Sequence, residues 1–401
     1  KSMIVAAMLA MVATGANAKS ATDSATIAKN KPVFTVVKQN PITSIKDQNR
    51  SGTCWAYSTL SYFESEILKH TGKTYDLSEM FVANKTYMDR ATMAVRMHGD
   101  VSFSQGGSAY DVLYALQHYG IVPEGAMPAP GTLTGDSLAN FGEFFDVMTP
   151  YVEAVAKSNA KKISSAWKSG LQGIIDSYIG KTPEKFTYQG KQYTPQSFCQ
   201  SLGLNLDDYV TITSYTHHPM WSKFAVEVQD NWRWPLSYNV PMDDLCKIID
   251  NAINNGYTVA WGGDVTEDGF TRKGLGIAYD VKKVRSMAGT DADHWFKLSK
   301  DEKKEKFDSL GVNAPEVVPT QAMRQEAFDN WETTDDHGMH IYGIAKDQNG
   351  KEYYMVKNSW GEYGDYKGTW YMTKAFVAYK TMDFMVNKNA IPKDIRKKLG
   401  I

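Results

Sequence analysis

The chain has 401 residues, of which 42% are hydrophobic and 22% are charged. This composition can bury a sizeable core and excludes a disordered chain, while the length allows two or three domains or one large domain with insertions. The 44 Lys and Arg residues against 45 Asp and Glu residues leave a net charge of −1, which predicts no nucleic-acid partner.

The N-terminal residues are typical of a secretory signal. Lys1 is basic, residues 3–12 are apolar but too few to span a bilayer, and residues 16–18 (Ala-Asn-Ala) fit a cleavage site. We therefore expect a signal peptide at 1–18, a linker at 19–33, and export to a bacterial periplasm or to the exterior. No membrane association is expected after signal removal. The alternative is an apolar helix that stays in the fold.

A candidate nucleophile, Cys54, lies in the segment 48–56. A glutamine stands six residues before it, a glycine two before it, and Trp-Ala follows. Apolar residues then recur at helical spacing as far as about His70, and Gly72 marks the end of the predicted helix. At a helix N-terminus, unpaired N–H groups and the helix dipole favour an anion, which predicts a lowered thiol pKa. A small cysteine that only begins a core helix is the alternative.

The middle of the chain predicts an inserted module at about 130–235. It is expected to be mainly helical, with a short hairpin from Phe186 to Tyr193. Before it, Gly106-Gly107 precede another predicted helix. Three tryptophans lie in the last part of the module. They are expected to be core or subunit-contact residues: Trp221, Trp232 and Trp234.

No cofactor and no metal are predicted. His217 and His218 are adjacent, so on a strand their side chains would point apart, and no Cys or acidic partner stands at ligand spacing. The other two cysteines, Cys199 and Cys246, have apolar neighbours. Buried free thiols are at least as plausible for them as a disulfide.

The second half of the chain changes from helical to strand patterns. The predicted elements are a helix at 242–254, a strand at 258–261, a solvated helical surface at 291–307, two strands at 337–345 and 352–358, and a strand at 369–372. The two strands are joined by a polar turn that contains Asn349-Gly350, a strong hairpin signal. The fold class is therefore α+β, with a helical lobe facing an antiparallel lobe.

Three stretches, 48–56, 334–343 and 353–361, resemble the papain-like cysteine peptidases. Ser51 stands where the family pattern has a cysteine, which removes a disulfide partner and leaves the chemistry intact. The spacing from Cys54 to His337 is 337 − 54 = 283 residues, against about 130–150 in simple members of the family.

An insertion of that size resembles the bleomycin hydrolase and aminopeptidase C branch of the family. Further stretches that resemble this branch are 194–198, 202–209, 216–219, 239–245, 255–257 and 261–265. The likeness extends from about residue 34 to the C-terminus.

The resemblance implies a role for each residue of the catalytic motif. Cys54 would be the nucleophile, His337 the base and then the acid, and Asn358 the residue that orients the imidazole. Gln48 would donate to the oxyanion together with the backbone N–H of Cys54, and Trp360 would cover the hydrogen bond between Asn358 and His337. His340 competes for the role of base, but in a strand it would point away from His337.

The resemblance also implies how substrate is bound. Gly106 and Gly107 would line the cleft, and the carboxylate of Ile401 would meet the free amine of a peptide if the C-terminal tail lies in the cleft. A frayed basic tail is the alternative.

The expected activity is therefore that of an aminopeptidase that acts on peptides. An endopeptidase, a dipeptidyl-peptidase or a catalytically idle binding protein remain alternatives. A homohexamer with an inner chamber is implied by the same resemblance.

Overall fold

The computed structural model describes residues 30–130, 138–283, 299, 302 and 309–401. The predicted signal peptide, most of the predicted linker and nearly all of the predicted helical surface at 291–307 lie outside the described residues. None of the helices in the described part combines the length and the apolar character that crossing a bilayer requires.

The elements are numbered in chain order. The α-helices discussed below, α1 to α10, are Cys54–Thr71, Glu79–Arg96, Ala109–His118, Gly142–Ala156, Ala166–Tyr178, Pro195–Ser201, Met242–Asn254, Gln321–Asp329, Lys374–Lys380 and Lys393–Leu399. The strands, β1 to β13, are Thr35–Gln39, Phe186–Tyr188, Lys191–Tyr193, Tyr209–Thr213, Lys223–Phe224, Ser237–Asn239, Val259–Gly263, Phe270–Thr271, Leu275–Gly276, His337–Lys346, Glu352–Lys357, Thr369–Thr373 and Thr381–Asn387.

Helix α1 is the central helix of the molecule. All residues from Trp55 to Ile67 are buried, so the helix is enclosed on every side. It ends where Gly72 adopts a left-handed conformation (φ 69°) and donates its N–H to the carbonyl of Leu68. Glycine suits this position because the left-handed conformation costs it nothing. The predicted start and approximate end of this helix are confirmed.

Eleven strands form one large sheet, in the order β5-β6-β4-β13-β7-β10-β11-β12-β9-β8, with β1 paired to β10. Strand β10 lies in the interior of the sheet, antiparallel to both β7 and β11. The predicted β10–β11 hairpin is confirmed. Its turn is held by Asp347, whose carboxylate accepts the N–H groups of Asn349 and Lys351 at 2.8 and 3.0 Å.

The two largest hydrophobic clusters among the described residues form the cores of two lobes. One core is formed mainly by residues of α1 to α6, and the other by residues of the large sheet with α7, α9 and α10. This arrangement confirms the predicted α+β fold with a helical lobe and a β lobe. Strand β10 packs on α1, and the sequence motifs on the two elements meet there.

The segment predicted as an insertion contains two kinds of structure. Helices α4, α5 and α6 and the β2–β3 hairpin belong to the helical lobe. Strands β4 and β5, however, are part of the large sheet, because β4 pairs with β13 in the register Ile212↔Phe384. Cys199 and Cys246 are both free thiols.

Candidate active site

A cavity of about 340 Å³ lies between the two lobes. It is lined by six of the residues singled out from the sequence: Gln48, Cys54, Gly106, Gly107, His337 and Trp360. Asn358 reaches the same site by a hydrogen bond to His337. Residues that are hundreds of positions apart in the chain are therefore brought together in one place.

Cys54 is the first residue of α1, as predicted, but the environment of its thiol differs from the prediction. Burial raises the pKa of Cys54 to about 12, and the charges of Asp335 and Asp230 act in the same direction. The backbone N–H groups of Gly338 and Trp55 oppose the shift without overcoming it. The expected lowering of the pKa by the helix terminus is thus wrong, because enclosure disfavours an isolated thiolate more than the helix favours it.

His337 begins β10 and is oriented by Asn358. The ring Nε2 and Asn358 Oδ1 are 2.8 Å apart, so Nε2–H donates to the amide oxygen. The other nitrogen, Nδ1, is then the one able to accept a proton. The ring of Trp360 lies 4.9 Å from that of His337, centroid to centroid, which agrees with the expectation that Trp360 covers this hydrogen bond.

The imidazole is buried, and burial lowers the pKa of His337 to about 4, although the Asn358 hydrogen bond acts in the opposite direction. Neither Cys54 nor His337 ionises readily by itself at neutral pH. Transfer of the thiol proton to the imidazole would create two opposite charges that stabilise each other.

Gly338 permits β10 to approach the start of α1. A Cβ at this position would stand 2.7 Å from Ser58 Oγ and 3.3 Å from both the Cys54 carbonyl oxygen and the Trp55 Cα. Any larger residue would push the strand away from the helix. The small residue after His337 therefore sets the spacing between the nucleophile and the base.

Gln48 is held so that its amide nitrogen is the end left to donate. Its Oε1 accepts the hydroxyl of Ser359 at 2.6 Å, and its backbone N–H donates to the Ser359 carbonyl at 2.8 Å. Only 7% of the residue is exposed. Cys54 is the first residue of α1, so its backbone N–H lies outside the hydrogen bonds of the helix and would be a second donor for a substrate oxyanion.

Gly106 and Gly107 line the cavity and are closely packed. A Cβ on Gly106 would collide with the carboxylate of Asp230, and one on Gly107 would lie 2.9 Å from the ring of Trp55. Both positions therefore need glycine for packing as well as for access to substrate.

Ile401 is placed elsewhere. Helix α10 packs in the core of the β lobe through Ile395 and Leu399, and Ile401 packs against the same core. Lys398 lies over the ring of Trp221, 4.4 Å from its centroid. The predicted position in the cleft is not observed, because the apolar residues of the tail are used to cover the sheet. The alternative, a frayed basic tail, is not observed either, because residues 393–399 form helix α10.

Four carboxylates in the cavity were missed by sequence reasoning: Asp230, Asp335, Asp336 and Asp383. Asp335 and Asp336 directly precede His337 and could have been noticed. Asp230 and Asp383 come from other parts of the chain and carry no local signal.

These carboxyl groups are crowded. Burial raises the pKa of Asp335 well above its usual value, and the charges of Asp230, Asp383 and Asp336 raise it further. Burial also raises the pKa of Asp383 to about 6 and that of Asp336 to about 7. Among the described residues, Asp230 pairs with Arg90 at 3.1 Å, and no ion pair is formed by the other three.

His340 lies outside this cavity. It is fully buried, and its Nδ1 is 2.9 Å from the hydroxyl of Ser61. Burial and the neighbouring Lys357 hold its pKa well below the usual range. His337, and not His340, is therefore in the place of the base.

The prediction for His217 and His218 needs correction. They lie in a turn after β4, not on a strand, and both rings contact Glu227. The argument that the two side chains point apart is wrong, because the alternation of strand side chains does not apply to a turn.

The sequence matches the Peptidase C1-like family over residues 2–314 and 317–400. It is 23% identical to aminopeptidase G of Lactobacillus delbrueckii subsp. lactis over 397 residues, which is 90% of this chain and 84% of that protein. It is 22% identical to bleomycin hydrolase of Rattus norvegicus over 417 residues, or 92% and 86% of the two chains. The fold is similar to that of PepW from Lactobacillus rhamnosis HN001, with a TM-score of 0.68, 19% identity, and coverage of 100% of this chain and 95% of that one.

A cysteine and an asparagine-bound histidine that line one cavity between a helical lobe and a β lobe are the arrangement of a papain-like cysteine peptidase. The chain belongs to the Peptidase C1-like family. The resemblance noted from the sequence is thereby confirmed.

Proposed function

We propose that this protein is a cysteine aminopeptidase that removes amino-terminal residues from peptides, and that the carboxylates of the cleft bind the free amine of the substrate. The observation that carries the proposal is the presence of Asp335 and Asp383 in the same cavity as Cys54 and His337. Neither carboxyl group has an ion-pair partner among the described residues, and an α-ammonium group would supply one.

The residues gathered at the cavity support this proposal. Cys54 Sγ attacks the scissile carbonyl carbon while its proton passes to His337 Nδ1. The N–H of Cys54 and the amide of Gln48 donate to the oxyanion. His337 then gives the proton to the departing amine, and in the second half it takes a proton from the water that releases the acyl group from Cys54. Asn358 keeps the ring oriented throughout.

Substrate selection follows from charge. A free amine would form charge-assisted hydrogen bonds with the ionised carboxylates, worth about 1.5–3 kcal/mol each. An acetylated amine has no charge and would leave the same carboxylates uncompensated. Several relatives of this chain are named aminopeptidases, which supports the same preference.

The test compares a free and an acetylated form of one amino-acid anilide, with and without iodoacetamide. We expect kcat/KM to be at least about tenfold higher for the free form, as one charge-assisted bond would give. Iodoacetamide should abolish both rates. Equal rates for the two forms would contradict the aminopeptidase proposal.

One observation favours the alternative, an endopeptidase or dipeptidyl-peptidase. Residues 393–401 pack on the β lobe and do not line the cavity that holds Cys54. Cleavage of an acetylated peptide at internal bonds, at a rate similar to that of free anilides, would support this alternative.

We also propose that the protein is exported after removal of residues 1–18, as the small residues at 16–18 suggest. N-terminal sequencing of the secreted protein should give Lys19 as the first residue.

A homohexamer is proposed on the basis of the resemblance to bleomycin hydrolases. Of the three tryptophans considered for subunit contacts, Trp234 is 49% exposed and Trp232 is buried, while Trp221 packs under Lys398. Trp234 is therefore the contact candidate. Light scattering should give six times the mass of one chain, and a monomer mass would refute the hexamer.

A further inference from the structure

A cluster of metal-ligand side chains lies outside the cavity just described. Within the described part of the chain, it is the one group of three whose donor atoms all lie within 4.8 Å of one another: His217, His218 and Glu227. His217 Nε2 is 3.0 Å from Glu227 Oε2, and His218 Nε2 is 2.8 Å from Glu227 Oε1. Ligand atoms at about 2.0–2.1 Å from a tetrahedral zinc ion stand about 3.3 Å apart, which is close to these separations.

The two rings are held in place by aromatic neighbours. His218 stacks on Phe224, with 4.1 Å between centroids, and His217 stacks on Phe328 at 5.7 Å. The turn that carries them is fixed by Asn239, whose buried amide donates to the carbonyls of Tyr215, His218 and Pro219 at 2.8, 3.0 and 3.1 Å. These contacts hold the two imidazole rings in place before any metal binds.

Gln325 orients the ring of His217. Its Oε1 accepts the backbone N–H of Thr216 at 2.6 Å, which fixes the amide beside the imidazole. His217 Nδ1 is 3.4 Å from that oxygen and 3.1 Å from the amide nitrogen. A ligating histidine usually donates its second ring N–H to an acceptor of this kind, and Gln325 can accept it when Nε2 binds a metal.

We propose that His217, His218 and Glu227 bind a divalent transition-metal ion of the zinc type. Two imidazoles and one carboxylate are a donor set typical of zinc, and the exposure of the cluster leaves a fourth position for water. On binding, each neutral imidazole offers the lone pair of Nε2 to the metal and carries its single proton on Nδ1, so the rings change tautomer and no net proton is lost.

The site has a consequence for the cleft. Glu227 stands between Val226 and Val228, both of which line the catalytic cavity, and Asp230 follows three residues later. A metal that joins Glu227 to the turn at 217–218 would anchor this wall of the cleft. The bound ion acts as a clamp and takes no part in the hydrolysis.

The direct test is titration with Zn²⁺ and with Co²⁺ of the full chain carrying Cys54→Ala, which removes the catalytic thiol as a competing ligand. We expect one ion per chain by calorimetry and visible Co²⁺ absorption bands of four-coordinate geometry. Binding should also raise the melting temperature.

Three variants in the same background locate the ion. His217→Ala, His218→Ala and Glu227→Gln should each weaken zinc binding about a hundredfold or more. A fourth variant, Gln325→Leu, alters only the support of His217 and should weaken zinc binding about tenfold. His70→Ala, which removes an exposed histidine elsewhere, is the matched control and should leave the affinity unchanged. Glu227→Gln keeps the size of the side chain and a hydrogen-bonding group, so this variant should fold normally. Circular dichroism verifies its folding.

Absence of binding to the Cys54→Ala protein would overturn the proposal. Binding with unchanged affinity in the three variants would overturn it as well, because the ion would then be held elsewhere.

Discussion

Two groups of carboxylates lie near the catalytic residues, and they differ in whether they contain their own cations. Asp335, Asp336 and Asp383 line the main cavity without an ion pair among the described residues. Glu64 and Glu79 line a small neighbouring cavity, which Asn358 also lines, together with Lys46 and Lys357.

The second group is neutralised internally. Lys46 Nζ lies 2.8 Å from Glu79 and 3.8 Å from Glu64. Burial alone would lower the pKa of Lys46, but the charges of Glu79, Glu64 and Asp76 outweigh burial and raise it. Glu64 also accepts hydrogen bonds from Thr43 and from the backbone of Leu77. This cluster supports the lobe interface and has no need of a ligand.

The difference shows how the same functional group serves structure in one place and binding in another. Buried carboxylates with lysine partners are satisfied by the fold, whereas those of the cleft are left with repulsion that an external cation would relieve. The cation that a peptide offers is its terminal ammonium. The following predictions test this contrast, from the largest expected effect to the smallest.

Replacement of the nucleophile should have the largest effect. Cys54→Ala should lower kcat by about 10⁴-fold or more, since no other group in the cavity can form the acyl intermediate. Circular dichroism should show an unchanged fold. Measurable turnover on the free-amine anilide in this variant would place the chemistry outside the cleft and remove the basis of the comparison.

Removal of the lysine from the internally paired cluster should reduce stability instead of selectivity. Lys46→Met leaves Glu64 and Glu79 buried without this cation, which should lower the free energy of unfolding by about 3–5 kcal/mol. Urea denaturation measures the loss. Lys31→Met removes an exposed lysine paired with Asp365 and should change the same quantity by less than about 1 kcal/mol. A change in the ratio of free-amine to acetylated hydrolysis in Lys46→Met would show that the two clusters do not have separate roles.

Neutralisation of one cleft carboxylate should change selectivity. Asp335→Asn keeps the shape of the side chain and removes the carboxyl group that a bound ammonium would hold ionised, so kcat/KM for the free-amine anilide should fall about 10–100-fold. The acetylated anilide should be hydrolysed at an unchanged rate. Asp268→Asn, on the exposed surface, is the control. Equal losses on both substrates would mean that Asp335 only supports the cavity.

The pH dependence should separate binding from chemistry. Because the pKa values of Asp383 and Asp336 are raised to about 6 and about 7, these groups take up protons as the pH falls through that range. KM for the free-amine anilide should therefore rise between about pH 8 and about pH 5, by less than about tenfold.

The chemistry should persist further into acid than the binding. His337 becomes protonated only near its lowered pKa of about 4, so the acetylated anilide should keep its rate down to that range. Identical pH profiles for the two substrates would contradict the role given to the cleft carboxylates.

The residues proposed to be catalytic could be singled out from the sequence because their motifs are local. Cys54 is recognisable at the start of an amphipathic pattern, and His337 and Asn358 lie on two strands joined by a turn with a clear hairpin signal. Helix α7 and the β2–β3 hairpin were likewise predicted with nearly the observed bounds. In each case the information lies within a few residues of the position concerned.

Features that depend on packing between distant segments were not predictable. The sequence suggested that the tail enters the cleft, but its apolar residues are buried more completely on the β lobe. The thiol pKa was predicted from the helix terminus alone, whereas the enclosure of Cys54 by the opposite lobe decides its direction. The convergence of His217 and His218 depends on a turn fixed by Asn239, more than twenty residues further along the chain.

By itself, the sequence thus determined the chemical groups and the elements that carry them, because side-chain periodicity and turn residues act locally. The tertiary structure decided which charges face one another, because burial and long-range contacts exist only once the two lobes have packed. Asp230 and Asp383 are the clearest case. They become part of the site because the packed lobes place them in the cavity that His337 also lines, and no local sequence pattern around them predicts this.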